Sequence, residues 1–86
     1  MKLTPLGANK NEVDLGNGLK ILFSYKTPVA YSQLTPEGLV RYKTSTKWSR
    51  TTSKHISQWF HEYDGEVSQE SIDSLINNVE GVNANI

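Results

Sequence analysis

The sequence predicts an α+β domain: a small antiparallel β-meander of three to four strands followed by two amphipathic helices packed on one face. Two observations carry this expectation. Residues 12–47 alternate apolar and polar positions between turn residues, and the chain then switches once, to helical spacing. Strands that precede helices, joined by short linkers, favour neighbouring antiparallel pairs over a parallel sheet.

In order along the chain, VDLGNGLKILFSY has apolar runs on both sides of Gly16-Asn17-Gly18, residues that accept positive φ, and so predicts a tight hairpin. In its second arm Leu19, Ile21, Phe23 and Tyr25 share one face, and Lys20, Leu22 and Ser24 the other. Thr27-Pro28 punctuates the chain, because Pro28 has no N–H for a central ladder. VAYSQL and LVRYKT flank Thr35-Pro36-Glu37-Gly38, whose early proline and late glycine suit a second hairpin turn. Ile56, Trp59, Phe60 and Tyr63 stand at i, i+3, i+4 and i+7, which predicts a helix over about 52–64. Thr51, Thr52 or Ser53 caps it and Gly65 stops it. Ile72, Leu75, Ile76 and Val79 repeat the spacing over about 69–80, with Ser68 as cap, Glu70 and Asp73 near the positive end, and Gly81 as the stop. Residues 82–86 read as a frayed tail.

A chain of 86 residues is one domain, 1–86, because it is too short for two independent cores. It holds no cysteine, which excludes disulfides, thiolate zinc sites and cysteine nucleophiles, and fits a reducing cytoplasm. MKLTPLGANK has no continuous apolar run, so no signal peptide is expected, and no later stretch is long enough to span a bilayer. The expected location is cytoplasmic.

Net charge is zero, yet the charges are segregated. Residues 38–61 hold Arg41, Lys43, Lys47, Arg50 and Lys54 without an acid; residues 62–86 hold Glu62, Asp64, Glu66, Glu70, Asp73 and Glu80 without Lys or Arg. Such asymmetry points to partners. In the basic block Tyr42 and Trp48 alternate with Arg41, Lys43 and Lys47, a pattern in which rings stack on bases and cations follow phosphates. Arg50 and Lys54, with His55, crowd the start of the first predicted helix, where the macrodipole disfavours positive charge. An anion held by Ser49, Thr51, Thr52, Arg50, Lys54 and free backbone N–H groups reverses that conflict. The blander reading puts Trp48 in the core, leaves the hydroxyls as caps and the lysines as a solvated face.

No enzyme is expected. The chain has no G-x-S-x-G elbow and no glycine-rich phosphate loop, and the carboxylates around Gly65 read as a polar helix exit. His55 and His61 lack the i, i+4 spacing that joins two imidazoles at one metal, so neither a metal nor a cofactor is expected. His55 reads as a boundary residue, bonded to a strand or to a bound anion.

Two segments, Ser24-Tyr25, Thr27-Pro28-Val29-Ala30 and then Ser49, Thr51-Thr52, Lys54-His55, resemble an uncharacterised domain family of small bacteriophage, plasmid and bacterial proteins. The similarity covers about residues 19–60. The family has no known activity, so the resemblance implies only a setting: an accessory protein of a mobile element in a bacterial host cytoplasm.

The function expected first is non-catalytic binding of nucleic acid, or of a host nucleic-acid-handling complex, through residues 41–55. The alternative is a protein-binding inhibitor of host defence, such as an anti-CRISPR, that presents Glu62, Asp64, Glu66, Glu70 and Asp73. The chain is expected as a monomer or a weak homodimer paired through a sheet edge.

Overall fold

A computed structural model describes residues 2–77. The chain forms β1 (Lys2–Gly7), β2 (Lys10–Gly16), β3 (Leu19–Ser24), β4 (Thr27–Thr35), β5 (Gly38–Thr44), α1 (Arg50–Trp59), β6 (Gly65–Val67) and α2 (Gln69–Asn77). The strands make one six-stranded sheet in sequence order. Pairing is antiparallel from β1 to β5, and β6 adds parallel to β5. The α+β class holds, with more strands than the three to four expected.

Both extra strands lack the signal by which a strand is read. Along β1 only Thr4 is even half-buried, so no apolar alternation marks it, and Pro5 is tolerated there because β1 is an edge. β6 has three residues and follows from pairing with Tyr42, Lys43 and Thr44. Gly65, expected to stop a helix, instead opens this strand; a Cβ there would lie 3.3 Å from the Tyr42 ring.

The hairpin turn at Asn17-Gly18 forms as its sequence dictates, with φ of 55° and 77°. At the second hairpin the Thr35 hydroxyl donates to the Gly38 carbonyl at 2.7 Å. Pro28 does not break the chain. It is the second residue of β4, where the register with β3 shifts so that Phe23 faces Pro28 and Leu22 faces Ala30. The bulge at Val29 accommodates the proline in an interior strand.

The helices do not share a face. In β3 Ile21, Leu22, Phe23 and Ser24 are all buried, which a strand with one solvated face cannot achieve. Ile21 and Phe23 pack with Val13 and with Ile76 of α2, while Leu22 packs with Val29, Ala30 and with Ile56 of α1. Alternate residues of one strand thus meet different helices, so α1 and α2 cover opposite faces. β6, on the sheet edge between them in sequence, lets the chain pass from one face to the other.

α1 is shorter than the expected 52–64. Ser49 is its N-cap, accepting from the Thr52 N–H at 3.1 Å, in place of Thr51, Thr52 or Ser53. The helix ends at Phe60, whose extended backbone has φ −140°. Tyr63 still packs in the α1 cluster, because its hydroxyl donates to the Ile56 carbonyl at 2.6 Å and caps the exposed end. The stripe that looked helical is a helix plus a returning loop. At α2, Ser68 accepts from the Ser71 N–H, as its sequence suggested. The expectations for Val79, Glu80, Gly81 and the tail 82–86 lie outside the described residues.

Candidate functional site

The topology gathers five chain segments at one end of the sheet. β3 and β5 run in the same direction, so β3, β5 and β6 end where β2 and β4 begin. The β1–β2 turn, the Tyr25-Lys26 turn, the linker 45–49 and the N-termini of both helices therefore lie at this end. It carries Lys10, Lys26, Lys47, Arg50 and Lys54, five of the nine Lys and Arg residues. It also carries two exposed aromatics, Tyr25 at 48% and Trp48 at 50%.

Beneath this surface is a buried polar clasp. Ser49 donates to the Thr52 hydroxyl at 3.2 Å; Thr52 and Ser24 share a bond of 2.9 Å; Ser24 and Nδ1 of His55 share one of 2.8 Å. With Nδ1 unprotonated, each hydroxyl passes its single proton donor to the next, and the chain ends at the imidazole. Ser24, Thr52 and His55 are 1%, 5% and 8% exposed. The clasp fastens the first turn of α1 to the end of β3 and satisfies three polar side chains, Ser24, Thr52 and His55, that burial would otherwise penalise. Desolvation, reinforced by the charges of Lys10 and Lys54, lowers the His55 pKa from its ordinary value. The two sequence segments that carry the family resemblance meet here, through Ser24 from one and Ser49, Thr52 and His55 from the other.

The basic-aromatic segment 41–55 is not one continuous surface. Arg41 lies with its guanidinium 4.3 Å from the centre of the Phe60 ring, and its backbone exchanges hydrogen bonds with Asp64. Tyr42 packs on Tyr31 at 5.6 Å between ring centres. Lys43 is 3.8 Å from Glu66 and faces the Tyr63 ring. Burial pushes the Tyr63 phenol up to about 12, against the opposing pull of the Phe60 backbone and the Arg41 charge. These β5 residues hold the returning loop and β6 in place. Thr52 is likewise engaged in the clasp and does not face solvent. Lys47, Trp48, Ser49, Arg50, Thr51 and Lys54 are exposed at the sheet end, with the Trp48 indole N–H donating to Gln69 at 3.1 Å. Trp48 is therefore not a core residue.

The acidic residues are dispersed too. Asp64 accepts from the Arg41 N–H, Glu66 pairs with Lys43, and Asp73 accepts from Gln69 at 3.0 Å. Glu62 and Glu70 are exposed, one in the loop after α1 and the other in the first turn of α2. Among the described residues no three His, Asp or Glu side chains stand together as metal ligands, and no helix is long and apolar enough to cross a membrane.

The binding residues expected from sequence do not include Tyr25, Lys10 or Lys26. Tyr25 was assigned to a strand face, whereas it occupies the β3–β4 turn with φ 60° and donates its N–H to Asn9. Lys10 opens β2 opposite Ser24, in the register of the β2–β3 hairpin, and bonds Gln58 of α1 at 2.9 Å, a partner 48 positions away that no local pattern encodes.

A family described as a family of unknown function (DUF8033) matches this chain over residues 1–74. The match reaches beyond 19–60 to take in β1, β6 and the first turns of α2. No curated protein and no solved structure matches.

Proposed function

The chain belongs to this family of unknown function (DUF8033), and from that premise we propose that it is a non-catalytic nucleic-acid-binding module whose interface is the cationic end of the sheet. The observation that carries this reading is the gathering of five cations and two exposed aromatics where two turns, a linker and two helix starts converge. Cations attract the phosphate backbone and rings offer faces to bases. Arg50 and Thr51 project from the first turn of α1, which contains no acid, Lys54 opens the second turn, and Lys47 and Trp48 extend the surface into the linker. A phosphate at this position relieves the repulsion between these cations and the helix dipole. The setting that fits is a mobile-element accessory protein in a bacterial cytoplasm, acting on nucleic acid or on a complex that handles it.

The test is fluorescence anisotropy with labelled RNA and DNA between about 50 and 200 mM salt. The expected result is binding that weakens steeply with salt. Arg50→Gln combined with Lys54→Gln reduces the slope of log affinity against log salt by about 0.7 per cation for a single strand. The same pair of changes leaves the fold intact and stabilises it by a few tenths of a kcal/mol, roughly, because both cations oppose the helix dipole. Absence of binding at the lowest salt overturns the reading. Recovery of one stoichiometric host protein from nuclease-treated lysate, with no nucleic-acid binding, replaces it with the inhibitor reading.

A further inference from the structure

We infer that Tyr25 is a stacking platform that makes this surface selective for single-stranded nucleic acid. The inference rests on the nucleic-acid reading above and names the strand state that the surface recognises.

The backbone at three turns supplies the argument. Positive φ outside glycine occurs at Asn9, Asn17 and Tyr25 among the described residues. Asparagine suits this conformation because its short side chain tolerates the left-handed region. A bulky aromatic there is uncommon and strained, and strain of this kind persists where the surroundings enforce it and marks positions held for a use. The Tyr25 N–H is fixed to the Asn9 carbonyl, and the preceding residue, Ser24, is anchored to His55 and Thr52. The ring leans over the His55 imidazole, 6.1 Å between centres and tilted by 40°, and still leaves 48% of the residue exposed.

Asparagine serves at the other two positive-φ positions, whereas this turn holds a bulky ring that packs on His55 on one side and stays half-exposed on the other. The ring projects from the same sheet end as the exposed indole of Trp48, with Lys54 on the helix beside His55. An unpaired base offers a π-face to such a ring, whereas the bases of an intact duplex are stacked on each other and present only their edges and the backbone. Phosphates then follow the cations on α1 and the linker.

The experiment compares one oligonucleotide sequence as single-stranded RNA, single-stranded DNA and the corresponding duplexes, with the parent protein, Tyr25→Phe and Tyr25→Asn. Asparagine suits the backbone conformation and removes the ring, so that variant folds with thermal stability equal to or above the parent's. The expected result is a single-strand preference in the parent, kept by Tyr25→Phe and lost by Tyr25→Asn with an affinity drop of about tenfold. Preference for RNA over DNA, or equal binding of both, identifies the natural strand and supports the inference equally. Equal binding of duplex and single strand, or unchanged single-strand affinity in Tyr25→Asn, overturns it while the nucleic-acid reading stands. A parent protein that binds no nucleic acid overturns both.

Discussion

At the scale of single residues, His55 joins the fold to the candidate interface. Its Nδ1 completes the Ser49–Thr52–Ser24 chain, and its ring supports Tyr25. Burial first, and then Lys10 and Lys54, lowers its pKa from 6.5, so the native state favours the neutral ring. The unfolded chain therefore binds this proton more readily. Stability is full above the ordinary value and is lost as pH falls through it towards the depressed folded value. Thermal unfolding between about pH 7.5 and 5.5 is expected to show a falling midpoint, and His55→Gln is expected to remove the histidine's share of that slope. A slope identical in the variant refutes the assignment. Sequence spacing placed His55 at a boundary with a strand or an anion as partner. The strand residue, Ser24, lies 31 positions away, and no local pattern encodes that pairing.

At the scale of elements, the start of α1 was legible and its end was not. A hydroxyl cap was expected, but SRTTS offers several, and the choice of Ser49 follows from Thr52 turning inward to Ser24. Ser49→Ala is expected to lower stability by about 1 kcal/mol, measured by urea denaturation, because the Thr52 N–H loses its acceptor and the clasp its first donor. No change in the midpoint contradicts that role. Helical spacing continued through Tyr63 because a returning loop can bring an aromatic back to the same cluster. The hairpins at Asn17-Gly18 and Pro36-Glu37 were legible because turn chemistry is local. β1 and β6 were not: one buries no residue, and the other is three residues long and exists only as a partner of β5.

At the scale of the whole molecule, β3 is the common wall of two cores. Ile56 of α1 seals one and Ile72 and Ile76 of α2 help to cover the other face. Ile56→Ala and Ile76→Ala are each expected to cost about 2–5 kcal/mol, although they lie on opposite sides of the sheet. Each variant is expected to unfold in a single transition, with tryptophan fluorescence and far-ultraviolet circular dichroism coincident, because losing either core releases the shared strand. Separated transitions in either variant show that the two cores are independent. The sequence by itself determined the α+β class, both glycine-containing hairpins and the buried Ile56, Ile72 and Ile76 of the two helices, since each depends on residues a few positions apart. It also exposed the segregated charge and the cationic helix start. Only the tertiary structure decided that the helices take opposite faces, that Arg41, Tyr42 and Lys43 hold the fold together, and that Tyr25 and Lys10 join Trp48, Arg50 and Lys54 at one sheet end. The physical reason is that a single strand buried on both faces, and an edge strand buried on neither, acquire their roles from partners distant in sequence, which local periodicity does not record.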